Sequence, residues 1–384
     1  MHKVLAPNSA VSRLQSWLRP SVGVKRAALT IGVVLVLAAP FALANNKPAP
    51  LSKALTEIAV RATPIAAFDK ENPAATRFGK LTWRGGLVLR SATPSFGGWS
   101  GLALGADGNQ LVAVSDAGTW MTADLVYEGG KPAALKSARL GPLKSLSGLP
   151  LSRWRDRDAE ALTLVTGVVA KGRLLISFER NHRVGLFDIG KNGISAPRRY
   201  LSLPAVAKRL DGNSGLEGLA ILQGGRFKGS LVAFSERLID GTGTLTGWIW
   251  VNGKPKRFKL NNGGAFSVTD AAPLPDGGLL VLERRFRWTE GVKARLRLIR
   301  AHELRPGATI TGELLLDAGL NHQIDNMEGL AVHKGAAGEI IVTIISDDNF
   351  NRVLQRTILL QFALKRADVA SARRLRFGSP SAAQ

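Results

Sequence analysis

Acidic side chains recur in this sequence at places that suggest one shared site. Glu160, Glu217 and Glu328 each head a short apolar run: Ala-Glu-Ala-Leu-Thr-Leu (159–164), Leu-Glu-Gly-Leu-Ala-Ile (216–221) and Met-Glu-Gly-Leu-Ala-Val (327–332). Asp270 fills the corresponding place in a more divergent copy, Thr-Asp-Ala-Ala-Pro-Leu (269–274), and Ser100 in Trp-Ser-Gly-Leu-Ala-Leu (99–104). A second acidic set closes the run that follows each of these: Asp116, Glu179, Glu236, Glu283, Asp347 and Asp348. Carboxylates gathered on one axis repel each other unless a cation or a basic side chain intervenes. Oxygen donors select a hard cation, so Ca²⁺ is the expected cofactor, with Mg²⁺ as the alternative. The chain has no cysteine and five histidines, none at metal-ligand spacing, which argues against zinc.

Such a constellation suits metal-assisted hydrolysis. Glu160, Glu217 and Glu328 are the candidate metal ligands, and the cation would polarise a phosphoryl or carbonyl oxygen. Glu179, Glu236, Asp347 and Asp348 are the candidate catalytic carboxylates that accept a proton. Arg180 and Arg237, each directly after an acidic residue, are the candidates for holding an anionic substrate. The plainer reading also stands: the same carboxylates cap strands, accept backbone N–H bonds and pair with Arg180, Arg237 or Arg284. No G-x-S-x-G elbow supports a serine hydrolase, and the Gly-rich pieces lack the ending of a phosphate loop.

The elements that carry these residues repeat. Each apolar run is followed by a Gly or Asp-Gly turn and a second run, such as Gln-Leu-Val-Ala-Val-Ser-Asp (110–116) or Leu-Val-Ala-Phe-Ser-Glu-Arg (231–237). Glu160, Glu217, Asp270 and Glu328 lie 57, 53 and 58 residues apart, and Ser100 lies 60 before Glu160. Periods near 50 residues with short strands rich in β-branched residues predict an all-β propeller. Asn252-Gly253 marks a hairpin between outer strands. Five units are visible, and a sixth assembles from Leu81-Thr-Trp-Arg and Leu87-Val-Leu-Arg with Thr357-Ile-Leu-Leu-Gln-Phe-Ala-Leu. Six blades, closed by strands from both termini, is the expectation, with five and seven as the alternatives. The first strand of each blade would line the channel and bring the acidic positions together. Most tryptophans are expected between blades, with Trp99 or Trp154 available to face a ligand.

These residues resemble a known family. Asp158-Ala-Glu160, Gly215-Leu-Glu217-Gly-Leu-Ala and Asn326-Met-Glu328-Gly-Leu-Ala-Val are similar to a blade motif of the phytase-like family, described as having esterase-like activity of phytase. Ser346-Asp347-Asp348-Asn349-Phe350 with Gln355-Arg356-Thr357-Ile-Leu-Leu resembles its C-terminal signature. The resemblance spans roughly residues 80 to 365, with Ala161 and Asp270-Ala-Ala as departures from the pattern. It implies a periplasmic or secreted propeller and, by analogy with propeller phytases, calcium and phosphate esters. It brings no set of catalytic residues.

The first 44 residues hold five basic residues and no acidic one; Lys25-Arg26 precedes the apolar run Ala27 to Ala39 and then Ala42-Leu43-Ala44. This pattern predicts a signal peptide at 1–44, cleaved after Ala44, and no stable membrane span thereafter. Residues 45–80 are expected as a linker, 81–370 as the propeller and 371–384 as a flexible tail. The formal charge is +23, and removing the five leader charges leaves +18. A small anionic substrate or an anionic envelope component is therefore the expected partner. Nucleic acid is not, because export removes the target and no aromatic-basic motif is present. The two functional readings are a metal-dependent hydrolase of phosphoester or carboxylic-ester substrates, and a non-catalytic propeller that binds an anionic envelope component or a partner protein.

Overall fold

Each repeat folds into an antiparallel sheet, and five such sheets close into a ring. A computed structural model describes residues 55–210 and 214–370, together with Pro48 and Leu51. The expected signal peptide (1–44) and the tail (371–384) lie outside the described residues.

The inner strands of blades 1 to 5 are Trp99–Leu104, Ala159–Val168, Leu216–Ile221, Ser267–Pro273 and Asn326–Lys334. Their second strands are Gln110–Ser115, Lys171–Phe178, Leu231–Ile239, Leu279–Arg287 and Ile340–Asp347. All five inner strands neighbour one another in a closed cycle, with the fifth returning to the first. Those of blades 1, 3, 4 and 5 are buried along most of their length because both faces are covered, so they read as continuous apolar runs rather than alternating ones. Five apolar cores fill the five blade-to-blade junctions. Asn252-Gly253 does form the hairpin between Thr244–Val251 and Lys254–Asn261, with positive φ at both residues.

The ring has five blades, not six. Strands from both ends were expected to form an extra blade, but they complete the fifth repeat. Thr357–Leu364 pairs with the second strand of blade 5, and Leu81–Arg90 pairs with Thr357–Leu364. A repeat with only two strands of its own after the channel strand has an open edge, and the N-terminal strand satisfies it. Within the stretch expected as a linker, Arg61–Ile65 extends this same sheet and Thr56–Glu57 pairs with the outer strand of blade 1.

In every blade the chain enters the inner strand and leaves the second strand at the same end of the ring. That end is the site face. A register shift interrupts each inner strand close to it, between Trp99 and Gly101, Leu216 and Gly218, Val268 and Asp270, and Met327 and Gly329, with a similar shift opposite Ser177 in blade 2. One extra residue in a strand re-aims its side chain and bends the strand.

Candidate active site

The bulges decide which side chains take part. The extra residues in blades 1, 3, 4 and 5 are Ser100, Glu217, Thr269 and Glu328, and Glu160 stands at the equivalent place in blade 2. At the ends of the second strands the matching residues are Asp116, Glu179, Glu236, Arg284 and Asp347. Two sequence assignments in blade 4 therefore shift by one residue. Thr269, not Asp270, occupies the repeated acidic position, and Arg284, not Glu283, ends the second strand.

The displaced residues have other partners. Asp270 is fully buried and accepts hydrogen bonds from the backbone N–H of Leu330 (2.7 Å) and of Ala271 (2.8 Å). It thereby ties blade 4 to blade 5. Glu283 is also fully buried and accepts from Arg297, with Nη2 2.8 Å from each carboxylate oxygen and Nε 3.1 Å from Oε2.

Blades 2 and 3 supply the densest acidic group. Oxygens of Glu179, Glu217 and Glu236 lie within 4.8 Å of one another, as do those of Asp158, Glu160 and Glu179. Glu179 belongs to both groups. Burial, with Asp158 and Glu236 adding repulsion, raises the Glu179 carboxyl to about 7. Burial and the charges of Glu160, Glu236, Glu179 and Glu328 push Glu217 well above its ordinary value. Glu236 is raised by burial, against the pull of Arg237 and Arg284. Carboxyls in this state favour a shared proton or a bound cation.

Blades 4, 5 and 1 form a different half. Arg284 reaches Glu328 at 3.2 Å, and its side chain keeps 27% of its accessibility. Burial opposes its charge, but Glu328, Glu236, Glu217 and Asp347 together hold it more firmly protonated than an ordinary arginine. Its Nε has no hydrogen-bond partner among the described residues. Burial raises Glu328 to about 7, with Arg284 acting in the opposite direction. Asp347 is pushed well above its usual range by burial and then by Asp116 and Glu328. Here the cation demanded by the carboxylates is a side chain of the protein.

The expected residues thus separate into two neighbourhoods. Glu160 and Glu217 fall together with Glu179 and Glu236, whereas Glu328 is the ion-pair partner of Arg284. Asp348 accepts from Gly98 N–H (3.1 Å), Phe350 N–H (3.1 Å) and the Thr357 hydroxyl (3.1 Å), so it clasps the loop of blade 5 to blade 1. Gly97 and Gly98 are needed there: both have positive φ, and a Cβ on either would collide with Asp348 or Asp116. Arg180 is bound through Nε to Asp158 and lies 4.6 Å over the ring of Trp154. Arg237 sits at the rim, more than half exposed, 3.0 Å from Glu236. Trp99 is fully buried against Phe96, whereas Trp154 is exposed at the site face. Asp158, the first residue of the motif Asp158-Ala-Glu160, lies in the same group as Glu160 and Glu179 while also pairing with Arg180.

These donors fit a hard divalent cation: all are carboxylate oxygens, mostly buried, in mutual reach and with ionisation suppressed by one another.

Comparison with known proteins gives one family. The profile described as "Phytase-like: Esterase-like activity of phytase" matches residues 94–350, more than half of the chain. A search of curated protein sequences returns no match. Similar solved structures include the Cps50 (Swd1) β-propeller domain of Myceliophteria thermophila, at 10% identity and TM-score 0.36, covering 81% of this chain and 100% of that one. An endo-arabinase from Bacteroides thetaiotaomicron is 13% identical with TM-score 0.44, covering 71% and 96%. An α-L-arabinofuranosidase from Podospora anserina, solved with cellotriose, is 12% identical with TM-score 0.44, covering 70% and 92%. At these similarities they carry no inference about chemistry or partners.

Proposed function

Since this chain belongs to the phytase-like family, we propose that it is an exported, divalent-cation-dependent hydrolase of phosphoester or carboxylic-ester substrates. The observation that carries this reading is the buried triad Glu179, Glu217 and Glu236, whose oxygens lie within 4.8 Å of one another across blades 2 and 3. Glu179, Glu217 and Glu236 would hold the cation, with Asp158 and Glu160 beside them. Ca²⁺ or Mg²⁺ there would supply Lewis-acid polarisation of the phosphoryl or acyl oxygen.

The remaining steps belong to the chain's own groups. Arg237 and Arg180 at the rim orient the anionic part of the substrate. Asp347, in its ionised form, accepts a proton from the attacking water as the water oxygen bonds to phosphorus or to the acyl carbon. The ester bond breaks, and the same proton passes to the departing alcohol. Arg284 keeps Glu328 and Asp347 from adding their full repulsion to an approaching anion. The leader-like residues 1–44 support export to the periplasm or beyond, and the amino-terminal sequence of the cell-processed protein tests it.

Calorimetry with Ca²⁺ and turnover of aryl phosphates and aryl esters test the site. Binding that is lost in Glu217→Gln and kept in Glu328→Gln, with turnover abolished by chelation, supports the reading. Absence of Ca²⁺ and Mg²⁺ binding, or turnover indifferent to chelation, removes it.

A further inference from the structure

The exposed large apolar side chains of this protein are not spread over its surface. Among the described residues, all except Leu55, Val168 and Leu314 lie on the connections and strand ends of the site face. They come from separate parts of the ring: Leu149 and Trp154 between blades 1 and 2, Phe286 and Trp288 on the hairpin of blade 4, Val353 and Leu354 on the loop of blade 5. Several are extreme, with Trp288 72% exposed and Val353 91% exposed. Apolar tips set around one mouth can enter a flat surface together, which a single groove-binding ligand would not require.

Arginine accompanies each of these tips. The sequence reads Arg153-Trp154-Arg155 in the first loop, Arg285-Phe286-Arg287-Trp288 in the second and Arg352-Val353-Leu354 in the third. Arg153 and Arg155 are exposed, as is Arg287, which also pairs with Glu290 at 3.0 Å, whereas the exposed Arg352 gives its guanidinium to the carbonyls of Ser91, Thr93 and Phe96. Apolar and aromatic tips flanked by cations suit the boundary between phosphate headgroups and acyl chains. The formal charge after residue 44, +18, matches an anionic surface.

The same face also receives the N-terminal segment. Arg157, at the end of the short helix Trp154–Arg157, donates to the carbonyl of Pro48 at 2.9 Å.

We propose that the site face docks on an anionic phospholipid bilayer, with Trp154, Trp288, Val353 and Leu354 entering the interface and the neighbouring arginines meeting lipid phosphates. The channel mouth then opens at the membrane surface. The inference does not rest on the catalytic reading, because its measurement is partition and not turnover.

The test uses the chain from Asn45 onward, which contains all five blades and their cores. It is mixed with vesicles of phosphatidylcholine alone, or of phosphatidylcholine and phosphatidylglycerol at about three to one. Partition into the anionic vesicles, weakened by salt, is expected. The combined variant Trp288→Ser/Val353→Ser/Leu354→Ser should lower it by about tenfold or more. The variant Arg153→Gln/Arg155→Gln/Arg287→Gln should remove the preference for anionic vesicles. Both sets lie on exposed positions, and unchanged thermal unfolding confirms that the variants are folded. No partition into anionic vesicles overturns the proposal and leaves the face to a protein partner. Partition unchanged by the apolar substitutions overturns it as well.

Discussion

Arg284 and Glu328 meet at 3.2 Å between Nη2 and Oε1, and this contact joins blade 4 to blade 5 on the site face. It divides the acidic ring into a half where a guanidinium takes the strand-end position and a half, at blades 2 and 3, where Glu179 and Glu236 take it and the arginines that follow sit outside them. Removing Arg284 should therefore be costly. Arg284→Met is expected to lose about 3 kcal/mol of stability, because it leaves deeply set carboxylates without their cation. The deficit should shrink at low pH, where those carboxyls are protonated. Urea unfolding at pH 5 and pH 8 measures both.

The cation-free protein should be less stable at pH 8 than at pH 5. Burial and neighbouring charge raise Glu179 to about 7, and burial raises Glu328 to about 7, both from an ordinary 4.5. A carboxyl raised on folding binds more protons in the folded state, so its contribution is full below about 4.5 and is lost as pH rises through about 7. Thermal unfolding in chelator should show that fall, and Glu179→Gln/Glu328→Gln should flatten it.

Cation binding should follow the opposite course. Glu179 must give up its proton to serve as a ligand, so affinity for Ca²⁺ is expected to rise by roughly tenfold per pH unit below about 7 for each proton displaced. Calorimetry in buffers of different ionisation enthalpy counts those protons.

Substitutions at Asp270 should cost in steps. Its Oδ1 accepts from Ala271 N–H and its Oδ2 from Leu330 N–H, so Asp270→Asn keeps an acceptor for one of them and turns an NH₂ on the other, an expected loss of about 1–3 kcal/mol. Asp270→Ala leaves both donors buried without an acceptor, at about 1–3 kcal/mol for each. Denaturant midpoints of the two variants make the comparison.

Gly98→Ala should destabilise by about 2 kcal/mol or more, since a side chain there is strained. Its φ is +67°, and the added Cβ would lie 2.3 Å from Asp116 Oδ1 and 2.6 Å from the Phe350 ring. Thermal unfolding reads the loss, and Gly229→Ala, with positive φ but open space around it, serves as the control for backbone strain alone.

The propeller was readable from the sequence because its strands repeat with their turns and because period, turn and β-branched content agree. Blade number was not, because pairing across the two ends of the chain leaves no local mark: Leu81–Arg90 looks the same whether it starts a blade or finishes one. The one-residue error at Asp270 and Glu283 has a different origin. Matching acid to acid ignores the bulge, whose extra residue changes which face a side chain occupies. Matching Val281-Leu282-Glu283-Arg284 to Ala233-Phe234-Ser235-Glu236 by the apolar residues would have put Arg284 in the ring. The split between Glu328 and the Glu179 group could not be read at all without it.

The shared sheet of blade 5 has a consequence for how the molecule is assembled. Leu81–Arg90 is synthesised before blades 1 to 4, yet its hydrogen-bonding partner Thr357–Leu364 is synthesised after them. Until then the early strand has one edge with nothing to bond, and the ring remains a crescent. Emergence of Thr357–Leu364 is accordingly the event that shuts the circle.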